Sequence, residues 1–146
     1  MAIEVQVVDG GTGKPVRVSL IGSLAVGPPS FNLAVSKELG TADTAVNFYE
    51  PRGGKQFIVT HIYAYGDKQV SSVTNATVDV YEATNDSTAT IDRTIFQFEI
   101  GQNEFQPRSD LNLLVNKDRF INAKTSDDDV HVQILGFFID DTGIEV

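Results

Sequence analysis

Apolar and polar residues alternate with a period of two along most of the chain, and no stretch sustains the 3.6-residue period of a helix. That alternation is the pattern of half-buried strands, so the expected fold class is all-β. Near the start, Ile3, Val5 and Val7 alternate with Glu4 and Gln6; after the turn-rich residues 9–15, Val16, Val18 and Leu20 alternate with Arg17 and Ser19. This predicts a hairpin with a long connection. The stretch Gly27-Pro28-Pro29-Ser30 then fixes φ twice and removes two backbone donors, which suits a stiff connector rather than a central strand. Residues 31–45 turn polar and small after Leu33 and Val35 and read as mostly loop. From there strands are expected at 46–50, 55–65, 76–82, 94–100, 111–116, 119–123 and 130–139, separated by Gly-, Asn-, Asp- and Ser-rich turns. That spacing is the mark of a sandwich or barrel. The expected organisation is an N-terminal arm over 1–45 and a β-sandwich body over 46–146 that ends in a short acidic tail.

Two of the strands depart from the rule of one apolar and one wet face. In 56–65, strict alternation puts Ile58, Thr60, Ile62 and Ala64 on one side and Phe57, Val59, His61, Tyr63 and Tyr65 on the other. In 130–139 the two sides are Val130, Val132, Ile134, Gly136 and Phe138 against His131, Gln133, Leu135, Phe137 and Ile139. Both faces have apolar surface to hide. Either the arm folds back over the outer face, or another subunit covers it, and aromatic residues are the types that interface centres favour. The residues expected to pack subunits together are Phe57, His61, Tyr63, Tyr65, His131, Leu135 and Phe137. An isolated hairpin is marginal in water, so Ile3, Val5, Val7, Val16 and Val18 are expected to attach the arm to a body, its own or another.

Composition narrows the function by exclusion. Among 146 residues there are 11 Lys and Arg against 20 Asp and Glu, a net charge of −9, and no cysteine. Thiolate zinc sites, disulfide frameworks and cysteine nucleophiles are excluded. The acidic excess speaks against binding nucleic-acid phosphates or an anionic membrane, and no apolar run approaches the ~18 residues of a membrane-spanning helix. The first residues lack a basic n-region and a long apolar stretch, so no secretory leader is expected. Residues 10–15, GGTGKP, approach a phosphate-binding loop, but Val8 and Pro15 stand where that pattern needs Gly and Ser or Thr. His61 and His131 have no carboxylate in a metal-ligand spacing, and Asp127, Asp128 and Asp129 lack the spaced pattern of a calcium loop. No nucleophile elbow exists. Glu50, Glu82, Glu99 and Glu104 are equivalent as sugar-hydrolysing acids, and Trp, the usual sugar platform, is absent. No catalytic, cofactor or metal site is expected.

Three stretches together, VNFYEPRGGKQFIVTHIYAYGDK (46–68), ATVDVYEAT (76–84) and LNLLVNKDRFINAKTSDDDVHVQILGFFI (111–139), resemble small virion proteins of tailed bacteriophages. The most distinctive part is Phe120-Ile121-Asn122-Ala123-Lys124-Thr125 with the acidic loop and last strand that follow. The resemblance implies a non-enzymatic capsid decoration or cement protein, made in the host cytoplasm. Its jelly-roll-like sandwich would sit as homotrimers on the outer capsid surface, with the arm on the major capsid protein. A glycan- or receptor-binding knob of a head or tail fibre, using loops 66–75 and 83–92, is the alternative; a neck or tail structural subunit is a third.

Overall fold

The computed structural model describes residues 33–67 and 74–139. They form nine strands and no helix: β1 (Leu33–Leu39), β2 (Val46–Tyr49), β3 (Gln56–Gly66), β4 (Ala76–Ala83), β5 (Arg93–Ile100), β6 (Phe105–Arg108), β7 (Leu113–Leu114), β8 (Phe120–Thr125) and β9 (Val130–Ile139). Two antiparallel sheets pack as a sandwich. Sheet I has the order β1-β9-β3-β6, with β7 also on β3, and sheet II has the order β2-β8-β4-β5.

The core is the sum of the two inward alternations. Val59, Ile62 and Ile134 of sheet I and Val78, Val80 and Ile121 of sheet II belong to one buried apolar cluster. Tyr49 crosses from sheet II and donates its hydroxyl to the Ile134 carbonyl at 2.8 Å, which satisfies the one polar atom of a buried ring. Burial pushes its phenol pKa well above the ordinary value.

Two strands arise where the sequence reads as loop. Leu33–Leu39 pairs antiparallel with β9 over its whole length, so the described part of 33–45 includes a strand of sheet I. Its inward positions are Leu33, Val35 and Leu39, and the polar residues Ser36 and Glu38 face out, an alternation that the composition of 31–45 obscures. Phe105–Arg108 pairs with β3 despite Pro107. The proline is tolerated because β6 lies at the sheet edge.

The third difference is a bulge. Val59 pairs with Gly136 and His61 with Leu135, which leaves Thr60 as an extra residue in β3. Its backbone and side chain are satisfied locally: the hydroxyl donates to the Leu135 carbonyl at 3.2 Å, and its carbonyl accepts the Leu111 N–H at 2.9 Å. The extra residue reverses the alternation. Before it, Phe57 and Val59 point into the core; after it, Ile62 and Ala64 do. Gly136 sits beside the bulge, where an added Cβ would lie 2.1 Å from the Ile58 carbonyl oxygen and 2.6 Å from the Phe57 ring. Only glycine lets β9 pass there.

The turns account for part of the negative charge. Among the described residues, all five non-glycine residues with positive φ are Asp or Asn: Asp43, Asn103, Asp110, Asp118 and Asp129. These are the side chains that tolerate the left-handed region best after glycine.

Candidate functional site

The two outer faces differ in kind. On sheet II, the loop after β4 is tied across β4 and β8. Asn122, fully buried, donates to the Asn85 carbonyl at 3.0 Å and accepts from Asn47 at 3.0 Å; Tyr81 donates to the Thr88 carbonyl at 2.8 Å, and Lys124 to the Ala89 carbonyl at 3.0 Å. A polar face is thus closed by the chain's own loop.

The outer face of sheet I is apolar and aromatic. The register sets Ile58 beside Phe137, His61 beside Leu135, Tyr63 beside Gln133, and Tyr65 beside His131 on the β3–β9 ladder. On the other side of β3, Phe105 lies opposite Tyr65, Pro107 opposite Tyr63, and Leu114 opposite Ile58. β1 contributes Ala34, Ser36 and Glu38, opposite Leu135, Gln133 and His131. Glu38 is the one Asp, Glu, Lys or Arg among these.

The rings form a connected patch. Tyr63 and Phe105 are stacked with centroids 6.2 Å apart and planes 19° from parallel; His61 lies 5.8 Å from Tyr63, and His131 6.3 Å from Tyr65. Phe105 is 60% exposed, Leu114 45% and Tyr65 40%, the three most exposed large apolar side chains among the described residues. At one end the His131 imidazole stands 3.4 Å from the Asp67 carboxylate, and the Tyr65 hydroxyl donates to Asn103 at 3.3 Å.

Six of the seven residues expected to pack subunits therefore share this face: His61, Tyr63, Tyr65, His131, Leu135 and Phe137. Phe57 does not. The bulge turns it inward, where it is 3% exposed and packs on Tyr49 and Phe138 at 4.3 and 4.9 Å. Sequence reasoning missed Ile58, Phe105 and Leu114. Ile58 was hidden by the phase change, and Phe105 by a stretch whose Gly, Asn and Pro read as a turn. The arm residues Ile3, Val5, Val7, Val16 and Val18 lie outside the described residues, as does the GGTGKP loop.

Two of the four candidate acids, Glu82 and Glu104, are held by structural partners. Glu82, 1% exposed, is bonded by Arg93 and accepts both the backbone N–H and the side-chain amide of Asn116, at 2.7 and 3.1 Å. Burial pushes its carboxyl up, but the bonds from Arg93 and Asn116 outweigh this and hold it below the usual carboxylate range. Glu104 accepts the Gly101 N–H at 2.6 Å and the Gln106 amide at 2.8 Å. In the acidic run, Asp128 accepts the Ala42 N–H at 2.8 Å, and Asp127 accepts the Asp128 N–H at 2.9 Å, which is turn chemistry. Among the described residues no three His, Asp or Glu come together in a way that would hold a metal ion.

No family model matches the chain, and no curated protein matches it.

Proposed function

We propose that this is a non-enzymatic structural protein of a tailed-phage virion, a decoration protein that assembles as homotrimers on the outer capsid surface and reaches the major capsid protein through its N-terminal arm. The observation that carries the proposal is the outer face of sheet I, aromatic and nearly free of charge in a chain with net charge −9. A fully exposed aromatic ring presents roughly 200 Å². Phe105 and Tyr65, at 60% and 40% exposure, together amount to about one such ring, and Leu114 and the half-buried Tyr63, Leu135 and Ile139 extend the patch. Patches of about 300–600 Å² on small proteins are commonly functional.

Two further features support it. Sheet orders β1-β9-β3-β6 and β2-β8-β4-β5, with successive strands mostly alternating between sheets, support reading the sandwich as a jelly roll, an architecture used by viral capsid proteins. The stretches that resemble virion proteins, 46–68, 76–84 and 111–139, include the strands that build the face, β3 and β9.

The test is the mass of the purified chain in solution, with and without residues 1–30, together with binding to capsid shells that lack the protein. The expected result is a trimer in both forms and shell binding by the full chain alone. A stable monomer that ignores shells would refute the proposal.

A further inference from the structure

We infer that self-association through the outer face of sheet I is gated by the charge of His61, so that copies pack together at neutral pH and separate in mild acid. This rests on the reading of that face as a self-association surface and adds how it is controlled. Both histidines of the chain lie on the face, in different surroundings. His61 is half-buried at its middle. The ladder sets it in one row with Leu135 and Ala34, between Ile58 and Phe137 on one side and the row of Ser36, Gln133, Tyr63 and Pro107 on the other. Neither row holds an Asp, Glu, Lys or Arg, and the nearest ring is Tyr63, 5.8 Å away. His131 lies at the border, with its side chain 45% exposed, Asp67 at 3.4 Å and Glu38 opposite.

Few titratable or charged side chains surround His61. β3 itself brings Tyr63 and Tyr65 to this face, β9 brings His131, and β1 brings Glu38, with Lys37 at an alternate position. Beside β3, Arg108 pairs with Ile62 and donates to Gln106 at 2.7 Å, and Asp110 precedes Leu111, whose N–H reaches the Thr60 carbonyl. An imidazole gains its charge between about pH 7 and pH 5. On a free copy a charged His61 keeps part of its water. Packed under a second apolar face it would lose that water with no carboxylate in its row, which disfavours the packed state. At His131 the same proton is answered by Asp67 and Glu38. Only the neutral form of His61 suits packing, so association falls as pH falls through the imidazole range. Net charge pulls the other way: at −9, each proton taken up lowers the repulsion between copies and would strengthen association. A loss of association in mild acid is therefore the mark of a cation buried in the contact.

Sedimentation velocity on the full chain at about pH 7.5 and about pH 5.5 tests this, with circular dichroism to show that each variant folds at both. The wild type is expected to need at least about tenfold more protein for half-association at the lower pH, because every subunit must give up a proton to pack. His61→Gln keeps a neutral polar side chain and is expected to associate equally at both. His61→Arg is expected to stay dissociated at both, and His131→Gln to keep the wild-type response. Wild-type association that holds or rises in acid, a response that survives His61→Gln or is lost in His131→Gln, or a His61→Arg chain that associates as wild type does, would overturn the inference and leave self-association standing. A wild-type chain that is monomeric at both pH values would overturn both.

Discussion

Removing Arg93 tests the most sharply defined polar contact inside the sandwich. Glu82 is 1% exposed and keeps its charge through Arg93 and Asn116. Arg93→Ala takes away the cation and leaves the carboxylate in place, and breaking a buried pair in this way costs about 3–5 kcal/mol. The lower end applies, because the Arg93 side chain is 46% exposed and Asn116 still donates twice. A loss of about 3 kcal/mol moves a urea midpoint by roughly 1.5 M at a slope near 2 kcal/mol/M. The pH dependence gives a second check. The folded wild-type carboxyl lies below its ordinary value of 4.5, so its contribution is complete above that pH and fades as pH falls through the folded value. Without Arg93, burial raises the folded value instead, and the variant regains stability by taking up a proton. The cost of the substitution is therefore expected to shrink by at least half between pH 7 and pH 4, measured by urea titrations followed by circular dichroism. An equal cost at both pH values, or a cost below about 1 kcal/mol at pH 7, would refute the reasoning.

Gly136→Ala is expected to destabilise by about 3 kcal/mol or more, because its Cβ would collide with the Ile58 backbone, which cannot rotate away as a side chain can; thermal unfolding reads this directly. Thr60→Val keeps the shape of the bulge and loses one hydrogen bond to the Leu135 carbonyl, for about 1 kcal/mol in the same assay. Asn122→Ala removes the buried amide that holds the loop after β4, so limited proteolysis is expected to cut within 84–92 faster than in wild type, with a stability loss of about 2 kcal/mol. Tyr65→Phe loses a single exposed bond to Asn103 and is expected to change stability by under about 0.5 kcal/mol.

The sandwich was legible because β3, β4, β5, β8 and β9 each carry an alternation long enough to stand out from their turns. β1 was not, since its outward positions are small or polar and only its pairing with β9 separates it from a loop. β6 was masked by Pro107, whose cost vanishes at a sheet edge. The candidate face was legible as an excess of apolar surface on two strands, but its membership was not. A period of two read straight through Thr60 assigns Phe57 to the wrong side and overlooks Ile58. Nothing in the local sequence announces the bulge; it is set by Gly136 across the ladder and by the Leu111 N–H that takes the Thr60 carbonyl. Likewise Glu82 was one of four equivalent acids until the fold brought Arg93 and Asn116 to it.

Thr60 also constrains how this chain can change. In an ordinary strand, losing one residue slides the remainder into the opposite orientation. In β3 the slide is already present, so excising Thr60 would restore even spacing and keep the two ends in agreement: Phe57, Val59, Ile62 and Ala64 would stay inside, and Ile58, Tyr63 and Tyr65 outside. Thr60 is therefore the one position of β3 where a residue can be lost without turning either end over, and the cost there is the bond to the Leu135 carbonyl and the carbonyl that the Leu111 N–H reaches.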